Sequence, residues 1–466
     1  MEGAAGEGKP ITKPLVLLLP YTTQGHINPL NQLGQRLALH GIEVRHLTTP
    51  YLLNSLLPTA DRRLSIPTEL ISDGFDESGY AQCGDVQTYL DRFKDVGSRT
   101  LAELLGRLAS NGRPANWIVY DAFLPWVADV ARRFGVSTAS FFSQLGAVNA
   151  TYYLHCHRKL NIPPPGSEPT TPVPIPGLPS LKFEDLSSFL IAPESIPAYY
   201  DLLLNQFSNT ADVMLVNSIE ELEPDVLHAM AESLPFKPVG PMLPLAHLDP
   251  RASKQRANET DLREASRADD LLGWLDSKPP RSVVYVAFGS IATLEEAQVV
   301  EIEAALRALD KPFIWVTGAK DSVAGREAAA GEVGRMVGWS SQPEVLAHAA
   351  VGCFVTHCGW NSTLEGLTLG VPMVCMPWWS DQPMNAMFVE EVWGVGLRAR
   401  AGEGGTVGRK EIERCVREVM ADGGEKGRRI WSRVQKWKEV IRTAADKGGS
   451  SDRNLIGFVE MVRDKH

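Results

Sequence analysis

Cysteine is scarce: 466 residues carry six, Cys83, Cys156, Cys353, Cys358, Cys375 and Cys415, and no two of them form a C-x-x-C pair. That removes the usual zinc and dithiol patterns and leaves scattered reduced thiols, the expectation for a cytoplasmic protein. Long apolar runs are also lacking. None approaches the roughly 20 residues that cross a bilayer, and Met1 to Pro10 is rich in Gly, Ala and Glu without the apolar centre of a secretory signal. Neither membrane insertion nor secretion is expected. Positive charge is in deficit, with 46 Lys and Arg against 56 Asp and Glu and a formal net charge of -10. Such a surface repels phosphate backbones and anionic lipid, so nucleic acid and membranes are poor partners. A small nucleotide remains compatible, because backbone N–H groups and helix dipoles hold phosphate locally. Glycine is plentiful, yet no G-x-G-x-x-G turn occurs. That argues against a Rossmann-type dehydrogenase.

What is present reads as a globular α/β protein. The chain is too long for one ordinary core, so two domains are expected. The apolar run Leu15 to Leu19 predicts a buried parallel strand. It is followed by Gln24-Gly25-His26-Ile27-Asn28-Pro29, in which Asn28 reads as an N-cap and Pro29 as the first helical residue. That helix should stop at Gly41, and Glu43 to Leu47 predicts the next strand, which completes a βαβ unit. Further strands are expected at Trp117–Tyr120, Ser137–Phe142 and Val213–Val216. Eight prolines between Pro163 and Pro179 mark an ordered connector over a cleft rather than an SH3-type ligand. Residues 1–244 thus form one Rossmann-like domain, and the polar stretch 245–270 reads as a linker. A second domain, 271–466, shows strand signals at Ser282–Phe288, Phe313–Val316, Arg335–Gly338, Gly352–Thr356 and Met373–Met376, with a helix over Glu295–Leu309. Its last helix is expected to pack back on the first domain. Two such domains leave a cleft at the carboxyl ends of their strands.

The densest information lies in Trp339-Ser340-Ser341-Gln342, His348, Thr356-His357-Cys358-Gly359-Trp360-Asn361-Ser362, Glu365, Gly370-Val371-Pro372, Pro377 and Asp381-Gln382. Trp339 follows a strand, where its indole can stack on a flat base, although a core Trp is the bland alternative. His357 follows another strand, and Asn361-Ser362 open a helix whose N–H groups favour an anion such as a diphosphate. Ser362 could equally be a plain N-cap. Glu365, an acceptor-only group one turn on, suits paired ribose hydroxyls or a capping box. Ser290 sits in a Phe288-Gly289-Ser290 turn whose glycine lets backbone approach a phosphate.

Together these positions closely resemble the signature box of plant family 1 UDP-dependent glycosyltransferases that glucosylate secondary products, and the N-terminal His, mid-chain Asp and Phe-Gly-Ser turn fall in the family's order. The resemblance implies two facing Rossmann-like domains of GT-B type and an inverting, metal-independent transfer with no cofactor. It assigns Ser290, His357, Asn361 and Ser362 to the diphosphate, and Trp339 and Ser340 to the donor site. Gln342 and Glu365 go to the ribose, and Asp381, Gln382 and the Trp360 backbone to the sugar. Gln at 382 implies glucose, whereas His at that place accompanies galactose. A monomer is the family expectation. No Asp-x-Asp occurs, so the metal-holding motif of other sugar transferases is missing.

Chemistry needs one base to strip the acceptor hydroxyl as it attacks the anomeric carbon, and His suits neutral pH. His26 lies in a loop after a strand and beside a helix N-terminus, which keeps the imidazole neutral at rest. Asp121 ends a strand of the same sheet and can orient the ring and stabilise its protonated form; the family's matching pair is such a dyad. Gln24, Phe123, Leu124, Trp126, Phe142, Ser143 and Gln144 are candidates for the acceptor side, an aromatic and apolar lining suited to a flat or greasy small molecule, expected to be phenolic, terpenoid or steroid-like. Ile71-Ser72-Asp73-Gly74-Phe75 resembles a plant subgroup that glucosylates phenolics, terpenoids and carboxylic acids. The readings to be separated are glucosyl transfer, the same transfer with galactose, xylose or glucuronic acid, and a non-catalytic nucleotide-sugar binder.

Overall fold

The computed structural model describes residues 13–55, 66–164, 166–195, 197–208, 211–248, 270–289, 294–317, 333–421 and 423–465. Two parallel sheets organise them. The seven-stranded sheet runs from edge to edge as Thr68–Leu70, Glu43–Thr48, Leu15–Leu19, Trp117–Asp121, Ser137–Phe142, Val213–Val216 and Phe236–Pro238. The six-stranded sheet runs Gly334–Val337, Phe313–Val316, Val283–Ala287, Val351–Thr356, Met373–Cys375 and Gly396–Arg398. Central strands of both are buried along their whole length, the pattern of parallel sheets covered by helices on both faces.

Each sheet has one place where chain order reverses, and ligands bind outside the strand ends there. In the first sheet it lies between Leu15–Leu19 and Trp117–Asp121, paired with Leu19 opposite Tyr120. In the second it lies between Val283–Ala287 and Val351–Thr356, with Ala287 opposite Thr356. The topology therefore puts His26, Asp121, Gly289 and His357 just past four strand ends that can face one cleft.

The first helix departs from the sequence expectation. It spans Gln24–Leu39 with Thr23 as N-cap, so His26 lies in its first turn and Pro29 inside it. Asn28 is no cap. Proline is tolerated because the carbonyl it leaves unbonded, that of Gly25, accepts a hydrogen bond from Asn361 Nδ2 at 2.7 Å. The short edge strands Thr68–Leu70, Phe236–Pro238 and Gly396–Arg398 carry too few residues for a periodic signal. The proline-rich stretch pairs Pro172–Val173 with Leu181–Lys182 and buries Val173, Ile175 and Leu181 in the core, which leaves no free extended ligand. Of the presumed linker, residues 249–269 lie outside the described residues, while Leu245–Leu248 is helical.

The two halves are stitched together. The C-terminal helix Ser450–Asp464 buries Leu455, Phe458, Val459 and Val462 against Val16, Leu18, Trp117 and Val119 of the first sheet, and Phe458 meets Trp117 edge to face at 5.3 Å. Two indoles of the second half donate to first-half carbonyls, Trp360 to Asn217 at 2.6 Å and Trp393 to Leu222 at 3.1 Å. No helix among the described residues is long and apolar enough to cross a membrane.

Candidate active site between the sheets

His26 Nδ1 lies 2.6 Å from Asp121 Oδ2, bridging 95 positions of sequence. Asp121 is 1% exposed, and its other oxygen accepts from the Phe123 backbone N–H at 3.0 Å. The carboxylate is thus fixed before it meets the ring. An ionised carboxylate accepts only, so Nδ1 carries the hydrogen and Nε2 keeps a free lone pair. Ser143 Oγ lies 3.1 Å from the same Nδ1. The ring is walled by Phe123 at 4.9 Å and Tyr21 at 5.5 Å.

Across the cleft, the helix Trp360–Leu369 points its first turn at this dyad. Its N-cap is Gly359, not Ser362, and Cys358 takes a left-handed φ of 67° to make the turn. Ser362 instead accepts from Gln342 Nε2 at 3.0 Å, and the same nitrogen donates to Glu365 Oε2 at 2.6 Å. Tyr285 Oη lies 3.0 Å from Ser340 Oγ and donates to Gln342 Oε1 at 3.4 Å. Ser340, Gln342, Ser362 and Glu365 therefore form one polar network with Tyr285 behind it. Burial pushes the Glu365 carboxyl up to about 7, against the hydrogen bond from Gln342. Burial pushes the His357 imidazolium down to about 4, so that ring is neutral at physiological pH. Gly289, at φ +78°, leaves the space in which a Cβ would meet His357 at 2.9 Å.

Trp339 is 56% exposed and borders a hollow shared with Leu271, Leu272, Ser340, Ser341, Glu344 and Val345; its indole is a flat open platform. Asp381 is buried and accepts from Asn385 Nδ2 at 2.8 Å. Burial raises its carboxyl above the usual range, against the hydrogen bond from Asn385. Gln382 Oε1 accepts from the backbone N–H groups of Trp378 and Trp379 at 3.1 and 3.3 Å. Its oxygen is thereby committed and its amino group left as the donor.

The decisive observation is likeness over nearly the whole chain. A relative, UDP-glycosyltransferase 74F2 of Arabidopsis thaliana, is 39% identical over 97% of this chain and 98% of its own length. The chain belongs to the plant UDP-glycosyltransferases. The family model "UDP-glucoronosyl and UDP-glucosyl transferase" matches residues 264–431. The indole-3-acetate beta-glucosyltransferase of Zea mays is 40% identical over 97% of this chain and 98% of its own. Among solved structures, Os79 from O. sativa in complex with U2F and trichothecene superposes with a TM-score of 0.85 at 38% identity, covering 96% of this chain and 100% of that one. The protein is thus an enzyme of GT-B architecture with two Rossmann-like domains.

The residues expected on the acceptor side differ in how they are packed. Phe142 stacks on Phe207 at 5.8 Å and meets Phe236 at 5.0 Å, a cluster behind the strand end. Trp126 packs on Phe93 at 5.6 Å, and Leu124 lies in the same core. All three side chains are buried, Leu124 and Phe142 to 1% exposure and Trp126 to 8%. Both strand faces of a parallel sheet are apolar, so sequence alone could not tell which side chains turn toward the cleft. Gln144 is buried, and Gln24 is the exposed first residue of the His26 helix. Ser290 lies outside the described residues. Conversely, sequence reasoning missed Tyr285, Asn385 and the aromatic group Phe189, Tyr199 and Trp379, whose rings lie 5.5 to 5.8 Å apart. Asp73, singled out within the 71–75 motif, accepts from Tyr89 Oη at 2.9 Å while Thr22 Oγ1 lies 2.7 Å from that hydroxyl. The motif at 71–75 is thereby tied to the strand end that precedes His26.

Proposed function

We propose that the enzyme transfers glucose from UDP-glucose to a hydroxyl or carboxyl of a small, largely apolar acceptor, with inversion to a β-glucoside. The observation that carries this reading is the His26–Asp121 pair at 2.6 Å, placed opposite the Trp360–Leu369 helix N-terminus. His26 Nε2 takes the acceptor proton as the acceptor oxygen bonds to the anomeric carbon and the bond to UDP breaks. Asp121 holds the imidazolium that results. UDP is a good leaving group, so no acid is required. Trp339 supports uracil, and Glu365 and Gln342 receive the ribose. His357, Ser362 and the helix N-terminus balance the diphosphate without a metal. Asp381 and the amino group of Gln382 meet the sugar hydroxyls. Single direct displacement needs no enzyme nucleophile, so an α-linked donor gives a β product.

The names of relatives support an acceptor among phenolics and carboxylic acids: one acts on a flavonol and one on indole-3-acetate. Both halves of the site come from one chain, consistent with a monomer, and six free cysteines suit the cytoplasm. The test is a screen of UDP-glucose, UDP-galactose, UDP-xylose and UDP-glucuronic acid against phenolics, terpenoids and carboxylic acids, read by mass spectrometry. UDP-glucose is expected to be the preferred donor. His26→Ala should bind UDP normally by calorimetry but lose about 10²- to 10⁴-fold in transfer, the usual worth of a general base. Undiminished transfer in His26→Ala would remove the base assignment, and preference for another donor would remove the sugar assignment.

A further inference from the structure

An uninterrupted helix closes the N–H of residue 29 onto the carbonyl of residue 25. Pro29 has no N–H, and it lies inside the Gln24–Leu39 helix. The carbonyl it releases belongs to Gly25, immediately before the base. Asn361 Nδ2 donates to that carbonyl at 2.7 Å, across 336 positions of sequence and from the opposite half of the cleft. Asn361 stands in the first turn of the Trp360–Leu369 helix. Its neighbour Trp360 is fastened to the same domain through Asn217 O at 2.6 Å. A Cβ on residue 25 would lie 3.7 Å from Asn361 Nδ2, so the Asn361 side chain sits directly against residue 25.

We propose that Pro29 and Asn361 form a clasp that positions His26 against the donor, with Pro29 present to expose the Gly25 carbonyl. The inference rests on the functional reading above, in which His26 is the base and the Trp360–Leu369 helix receives the donor. Asn361 has two amide hydrogens. One holds the turn that carries the base, and the other remains for the diphosphate. Registering base and anomeric carbon through a single residue ties their alignment to closure of the cleft, and misalignment of about 1 Å is costly in rate. Pro29 is therefore a positioning residue that touches no substrate.

Pro29→Ala restores an N–H that competes for the Gly25 carbonyl and draws it back into the helix. The expected result is a kcat about five- to tenfold lower, the worth of one hydrogen bond read as a rate. KM for UDP-glucose and the Kd of UDP should change less than about twofold, and Tm should hold or rise, since alanine favours a helix interior. A merely structural proline would give the opposite pattern, changed stability with unchanged kcat. In an Asn361→Ala background the same substitution should cost no further kcat, because both act through one bond. Hydrogen exchange of the 24–28 turn, which needs no turnover, should be faster in Asn361→Ala than in the parent. Wild-type kcat in Pro29→Ala, additive losses in the double variant, or unchanged exchange in Asn361→Ala would each overturn the clasp. A parent enzyme that transfers no sugar would overturn the functional reading instead, and the exchange measurement would still decide the clasp.

Discussion

At the scale of single residues, the donor side is built on groups whose charge is set by burial. Glu365 suits two ribose hydroxyls only as a carboxylate, since the ionised group accepts at both oxygens. Burial holds its carboxyl at about 7. The neutral form is therefore dominant below that pH, and in the donor site proposed above it must lose its proton to accept from both ribose hydroxyls. The sign follows: nucleoside affinity should be present above about pH 7 and fall as pH drops through 7. Uridine is the appropriate probe because it carries no phosphate that titrates in that range. Its Kd, measured by calorimetry from pH 8 to pH 5.5, should rise about tenfold per pH unit on the acid side. Glu365→Gln should bind more weakly and show a flat profile. A flat profile in the parent protein would separate Glu365 from ribose recognition. Trp339 is a useful contrast: its indole is uncharged and exposed, and Trp339→Ala should weaken uridine equally at every pH.

Secondary-structure elements explain which of these residues sequence could reveal. Strands such as Leu15–Leu19 and Phe313–Val316 were legible because buried parallel strands are continuous apolar runs with sharp ends. The His26 helix was placed too late in sequence because Asn28-Pro29 carries the local signature of a helix start. That local rule lost to a contact from the other domain, which no local rule contains. The Gly146–Cys156 helix shows a similar long-range device. It has no side-chain cap of its own, and Glu223 accepts from the backbone N–H groups of Gly146 and Ala147 at 3.0 and 2.7 Å. Ser218 Oγ donates to the same carboxyl at 2.5 Å. Burial outweighs these bonds and pushes the Glu223 carboxyl up to about 7. A folded pKa above the unfolded value stabilises the fold fully below the unfolded value and loses that contribution as pH rises through 7. Glu223→Gln lacks the titration. Relative to the parent, its stability to urea should improve between about pH 4.5 and pH 8, by at most about 3 kcal/mol. A difference that is constant with pH would mean that Glu223 does not titrate in this window.

For the whole molecule, the His–Asp pair was readable because His26 and Asp121 are polar residues next to strand ends of one predicted sheet, and the structure brings them to 2.6 Å. The cross-cleft contacts were not. Trp360 entered the reading for its backbone, yet its indole fastens the two domains. A further join lies opposite, where the Leu181–Lys182 strand and the turn that follows it meet the edge of the second sheet. Arg398 Nη1 donates to Asp185 Oδ1 at 2.9 Å, with Asp185 2% exposed, and Lys182 N donates to the other carboxyl oxygen at 3.0 Å. Lys182 with Glu391, and Arg400 with Glu184, flank this pair at the exposed rim, where screening leaves them little weight. Burial raises the Asp185 carboxyl and Arg398 lowers it. Arg398→Met would remove the counter-charge and leave a buried carboxylate. The expected loss is about 3 kcal/mol at pH 8, near the lower end for breaking a buried pair. Without its partner Asp185 protonates more readily, so the loss should shrink as pH falls toward 5. Adding Asp185→Leu should recover most of the stability at pH 8, because it removes the uncompensated charge. Urea denaturation of the single and double variants at both pH values reads all of this. An equal loss at pH 5 and pH 8, or no recovery in the double variant, would show that the join depends on shape rather than on charge.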